Sequence, residues 1–247
     1  MGLINTEAIV LRTYKLAEAD KIVVCLTRQT GVVRGVARGA RRLKSKFGAS
    51  LEPFTLIALV YYEKEGRELV SLQQVEILRS YFSLAQSTEI VHAMEYLSEL
   101  VLEFTPPQEP NDKLFRMVRA CAEALAEVPE ALPALVRYFE VWTLRLAGFL
   151  PNSRGCAGCS RRFEDGENVY LSGDNGLRCR ACAGGTGIAL AGEAYAQLRA
   201  IQKVGPVEFS RAVRSVRVAV WQELAQVTQV LIARALEREP RGQATFT

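Results

Sequence analysis

An α+β chain is predicted, with a small closed barrel of five strands in residues 1–80 and a helical domain in 81–247 that carries a four-cysteine metal element at about 151–187. Three observations lead there. Apolar runs in the first eighty residues alternate with turn residues at strand spacing, the hydrophobic period lengthens to about 3.6 from Thr88 onward, and two CxxC pairs interrupt the helical pattern.

The strands come first. Runs at 8–11, 22–26, 32–36, 55–62 and 69–75 are rich in Val, Ile, Tyr and Thr, and Gly31, Gly39, Pro53 and Gly66 punctuate them. Five short strands at this spacing predict a Greek-key barrel of the oligonucleotide-binding (OB) type, whose outer face and loops hold nucleic acid by stacking and charge. Tyr61 and Tyr62 are neighbours and point to opposite faces of a strand, so only one is outward. Tyr14 and Phe47 are the other aromatics near basic residues, and barrel core is the alternative place for all four.

A cationic loop follows the third run. It carries Arg34, Arg38, Arg41, Arg42, Lys44 and Lys46, with no acidic residue between Asp20 and Glu52. Arginine outnumbers lysine four to two, and its planar fork binds phosphate with defined geometry, which makes these the predicted DNA-binding residues of the barrel. A solvated charge run is the competing reading.

The net charge of +4 hides a pattern: the segments 1–80, 81–150 and 151–247 carry +5, −5 and +4. The acidic middle reads as three amphipathic helices. Ile90, Met94, Leu97, Val101 and Phe104 make one stripe, stopped by Pro106 and Pro107, with His92 opposite as a surface residue. A second helix starts near Asn111 or Asp112 and runs to about 128, and a third starts around Pro133, shows Leu135, Phe139, Trp142 and Leu146 on one face, and ends near Gly148. Their acidic faces read as solvated.

Cys156 and Cys159 are followed, after nineteen intervening residues, by Cys179 and Cys182. Two such knuckles turn four thiolates toward one ion, which predicts one structural Zn²⁺; a pair of disulfides and an empty relic are the alternatives. Four thiolates leave no open position for a catalytic water. Arg154, Arg161, Arg162, Arg178 and Arg180 surround the quartet in sequence and offset its negative charge.

Helical periodicity returns at 192–203 and from 207 onward. In the latter, Phe209, Val213, Val216 and Val220 share a face, and Arg211, Arg214 and Arg217 spread over the other as a second basic surface, for DNA or for solvent. Residues 221–236 continue or restart this helix, and 237–247 read as a frayed tail. No apolar run reaches membrane length and no signal-type segment opens the chain, so a cytoplasmic, nucleoid-associated location is expected.

The order barrel, helices, knuckles, helices, together with GlyValAlaArgGlyAlaArgArg at 35–42, LysSerLysPheGly at 44–48 and CxxC pairs after LeuAlaGlyPheLeuPro at 146–151, resembles the RecO family across essentially all 247 residues. The resemblance implies a mediator of DNA repair and recombination. Such a protein binds single- and double-stranded DNA, anneals complementary strands, and with RecR helps load RecA onto strands covered by single-strand-binding protein (SSB), whose C-terminal tail some members bind. Neither GxxxxGK[ST] nor HExxH occurs, and the single histidine has no visible nucleophile partner, which favours a binding protein over an enzyme. Two other classes stay open: a nuclease with dispersed acidic metal ligands, and a zinc-ribbon protein-interaction module without direct DNA binding.

Overall fold

The computed structural model describes residues 2–240, and the expected tail lies partly outside them, at 241–247. Five strands, β1 (Gly2–Leu16), β2 (Asp20–Thr27), β3 (Gly31–Ala37), β4 (Leu56–Glu63) and β5 (Val70–Arg79), form a closed barrel in the order β1-β2-β3-β5-β4. β3 and β5 run parallel, and β4 pairs back onto β1, so the ring has the OB topology that the sequence predicts. Its interior is apolar, with Val10, Val23, Cys25, Val33, Ile57, Leu59, Tyr61 and Leu72 among the buried residues.

β1 is far longer than the predicted run at 8–11. Gly2–Ile9 pairs with β4, Ala8–Leu16 pairs with β2, and a bulge between Val10 and Arg12 turns one ladder into the other. Only Ala8–Leu11 is a continuous apolar run, so the hydrophobic pattern marks that run and misses the ends, where apolar and polar residues are mixed. Gly35 marks the tightest approach in the barrel: a Cβ there would sit 2.0 Å from Leu72 Cδ1.

The chain divides into two compact units, residues 1–122 and 123–247. In the first, α1 (Thr88–Phe104) is capped by the Ser87 hydroxyl, which accepts from Ile90 N at 3.3 Å, and it ends before the two prolines. Ile90, Met94, Leu97 and Val101 are buried and His92 is exposed, as expected. α2 (Asp112–Glu127) is capped by Asn111, whose Oδ1 accepts from Leu114 N at 2.9 Å, and the boundary between the units falls within it.

The second unit centres on α3 (Leu132–Leu146), which is buried on most of its circumference. It packs against α7 (Val218–Leu236), with α5 (Gly192–Ile201) and α6 (Pro206–Ala212) beside it. Arg137 and Glu140 are fully buried there, with Nη2 and Oε1 3.2 Å apart, and the Thr228 hydroxyl donates to the second carboxylate oxygen at 2.5 Å. The predicted continuous helix through Val213 and Val216 is broken. α6 stops at Ala212 and α7 starts at Val218, because Val213, Ser215 and Val216 are poor helix formers and the Pro206 start leaves only a short run before them.

The metal element is a three-stranded sheet ordered β7-β6-β8, from β6 (Val169–Leu171), β7 (Leu177–Arg178) and β8 (Ile188–Leu190), with the short α4 (Arg180–Ala183) after β7. Among the described residues, no helix is long and apolar enough to cross a membrane.

Candidate nucleic-acid interface and metal centre

The loop between β3 and β4 is fastened to the barrel at both ends. Asp20 Oδ1 accepts from Gly39 N at 2.8 Å, Arg41 N donates to Ala19 O at 2.9 Å, and Phe47 and Leu51 are buried in the barrel core. Arg34 is not on this loop, because it lies within β3 on that strand's outward face; Arg38, Arg41, Arg42, Lys44 and Lys46 follow the strand and take different roles.

Arg41 Nη1 donates to Ala17 O at 3.0 Å and to Glu18 O at 2.9 Å, clamping the loop onto the β1–β2 turn. Lys46 Nζ donates to Gln73 O at 2.7 Å and lies 5.1 Å from the centroid of the Phe47 ring. Arg34, Arg38, Arg42 and Lys44 are exposed, and among the described residues none of them has a hydrogen bond or ion pair from its side chain. Available positive charge is therefore concentrated on four of the six.

The aromatics divide as the strand alternation requires. Tyr61 is in the core, its hydroxyl 2.8 Å from that of Thr30, and Phe47 is core as well; Tyr62 and Tyr14 are outward. Tyr14 pairs laterally with Ile22, and Ile22 with Val36, making an apolar row across β1, β2 and β3. Arg34 lies on the same face, two residues before Val36. An exposed ring beside aliphatic side chains, with an arginine two strands away on the same face, is a surface on which a base can stack.

Arg211, Arg214 and Arg217 are distributed over the end of α6, the turn after it and the start of α7, and each faces a carboxylate. Arg211 lies 2.5 Å from Glu127, Arg214 3.6 Å from Glu130, and Arg217 2.6 Å from Glu193. The partner carboxylate raises the Arg217 pKa. The acidic residues that read as solvated are partly the counter-charges of this second basic group.

The four thiols of Cys156, Cys159, Cys179 and Cys182 lie within 4.8 Å of one another. A tetrahedral ion with Zn–S bonds of about 2.3 Å holds its sulfurs about 3.8 Å apart, so the quartet fits one ion with little adjustment. Gly158 is required in the first knuckle, since a Cβ there would lie 2.9 Å from Cys182 Cβ.

The local electrostatics call for a cation. Burial opposes ionisation of Cys156, but the backbone N–H groups of Cys179, Cys159 and Gly158 and the Cys159 thiol outweigh it and bring this thiol down to about 6. The Cys182 N–H lowers Cys179. Cys182 goes the other way, pushed up to about 12 by the sulfurs of Cys159, Cys179 and Cys156. A dication at the centre relieves this repulsion. Of the surrounding arginines, Arg161 pairs with Glu167 at 2.9 Å and Arg178 with Asp174 at 2.7 Å, whereas Arg154, Arg162 and Arg180 have no carboxylate partner among the described residues.

The architecture is an OB barrel with a cationic loop, followed by a helical region that carries a four-cysteine cluster suited to a single structural metal ion. The family model described as recombination protein O matches the chain twice, with its N-terminal part over residues 1–81 and its C-terminal part over 89–244. The chain belongs to the RecO family of DNA repair and recombination proteins.

Similar proteins agree. The DNA repair protein RecO of Koribacter versatilis (strain Ellin345) is 37% identical over 161 residues, which span 65% of this chain and 65% of that protein, just under two thirds of its length. That of Anaeromyxobacter sp. (strain K) is 34% identical over 185 residues, 75% of this chain and 72% of the relative. The RecO of Dehalococcoides mccartyi (strain ATCC BAA-2266 / KCTC 15142 / 195) is 27% identical over 239 residues, 96% of this chain and 92% of the relative.

Proposed function

We propose that this chain is a non-enzymatic recombination mediator, acting in the cytoplasm at the nucleoid. It binds single- and double-stranded DNA, anneals complementary strands, and with RecR helps load RecA onto SSB-coated single strands, recognising the SSB tail through its helical part. One observation carries the reading: Arg34 on β3, and Arg38, Arg42 and Lys44 on the loop fastened after it, present unpaired charge from an OB barrel. Two strands repel through their phosphates, and a cationic surface lowers that repulsion by releasing counterions without reading bases. Tyr14 supplies sequence-tolerant stacking beside it. In this reading residues 1–80 are the DNA-binding domain and 81–247 the helical domain, whose element at about 151–187 holds one Zn²⁺ through Cys156, Cys159, Cys179 and Cys182 as a structural ion.

The test is an annealing assay on SSB-coated complementary strands, with and without RecR, run beside direct binding at several salt concentrations. Annealing without strand cleavage is expected, with log affinity for single strands falling against log salt at a slope near −3 if four phosphates are neutralised. Cleavage in Mg²⁺ would point to a nuclease instead. A protein that ignores DNA at low salt yet binds RecR would be an interaction module.

A further inference from the structure

We propose that Leu43 is an unstacking wedge that enters between adjacent bases of bound DNA while Arg38, Arg42 and Lys44 hold the flanking phosphates. The inference rests on the DNA-binding reading of this loop and adds to it a contact with base faces, which charge alone does not provide.

Leu43 is fully exposed, the most exposed large apolar residue among those described. A single exposed leucine is ordinary on a protein surface. Its setting is not. Ser45 N donates to Arg42 O at 3.0 Å, closing a β-turn with Leu43 and Lys44 at its two central positions. The same segment is held on one side by the Arg41 clamp, with Arg42 N donating to Gly39 O at 3.1 Å, and on the other by Lys46 on Gln73 O and by Phe47 in the core.

The apex is thus built on fastened backbone and projects one apolar side chain with a free cation on each side of it in the chain. In duplex or self-paired DNA, apolar base faces lie just behind a line of phosphates. A leucine flanked by cations complements that order, with charges outside and the hydrophobe inserted between base steps. Proteins use Leu, Ile, Phe or Met this way, offsetting the loss of stacking with contacts that the opened step permits. In an annealing protein such a wedge opens local self-pairing in a single strand, so that its bases can meet a complement.

The experiment uses the full-length, metal-loaded protein and a hairpin-forming DNA with 2-aminopurine in its stem. Binding by the unaltered chain is expected to raise the fluorescence of the probe. Leu43→Ala is expected to remove most of that rise while weakening affinity less than about tenfold, and Leu43→Phe to restore the rise, as another side chain suited to the wedge. Retention of the full signal by Leu43→Ala overturns the wedge and leaves DNA binding intact. Absence of DNA binding by the unaltered chain at low salt overturns both readings. If the probe stays dark with DNA bound, while Leu43→Ala weakens association with RecR, the apex belongs to a protein interface and the wedge is wrong.

Discussion

The two basic groups, six residues on β3 and the barrel loop after it and three in the helical unit, look alike as letters and differ as surfaces. In the first group, four side chains, Arg34 on β3 and three on the loop, are free of carboxylates among the described residues, and two are fastened to backbone carbonyls. In the helical unit, all three arginines face Glu127, Glu130 or Glu193. What counts for a polyanion is charge left over after local neutralisation, and by that measure the loop outranks the helices.

The sharpest way to break this comparison is to reverse the free cations. Replacing Arg34, Arg38, Arg42 and Lys44 by glutamate is expected to abolish most binding to single-stranded DNA, and alanine at all four to flatten the salt slope by about 3. Titration by fluorescence anisotropy at several salt concentrations measures both. If affinity survives the reversal, the loop has no part in binding and the helical group regains first place.

Next in size is the effect of the metal. Chelation, or Cys156→Ser with Cys179→Ser, is expected to open residues 151–187 to protease and lower the melting temperature, with a much smaller change in DNA affinity. A well-folded metal-free protein that has lost DNA binding would place the knuckles in the interface, with Arg154, Arg162 and Arg180 as its charges.

The opposite manipulation of the helical group has a smaller expected effect. Glu127→Gln, Glu130→Gln and Glu193→Gln together release the three arginines, and the salt slope should steepen by up to about 2. Unchanged binding would mean that these arginines face away from DNA whether paired or not. Smallest of all is Arg41→Ala. It removes two exposed hydrogen bonds to carbonyls, so urea denaturation should show a loss of about 1 kcal/mol while the salt slope stays the same. A changed slope would count Arg41 among the phosphate ligands.

How much of this was legible in the sequence depends on where each partner lies. The quartet could be read in full, since CxxC spacing alone brings the thiols together, and Gly158 between them is visible as a letter. The OB barrel was legible through period two, although the ends of β1 mix polar and apolar residues and are each held in register by one neighbour, β4 for Gly2–Glu7 and β2 for Arg12–Leu16. Arg41 gave no sign, because carbonyl oxygens occur at every residue and only the folded turn places those of Ala17 and Glu18 within reach.

The pairing of Arg211 with Glu127 was hidden for another reason: 84 residues separate them, and the helix break that orients the arginines was masked by a valine spacing that imitates a helical face. Arg137 and Glu140 did leave a trace, as charges three apart in the middle of an apolar helix, where only a buried pair is tolerated.

The division of β1 between two partners also sets a timetable for synthesis. β1, β2 and β3 form a meander of local contacts that can assemble once Ala37 has left the ribosome. The ladder to Gly2–Ile9 must wait for β4, and the parallel contact that seats β5 beside β3 comes later still. Through that interval the first half of β1 is an open edge on a nascent chain, exposed to pairing with a neighbouring copy. Slowing translation between residues 37 and 56 should therefore lower the yield of folded protein without changing its final stability.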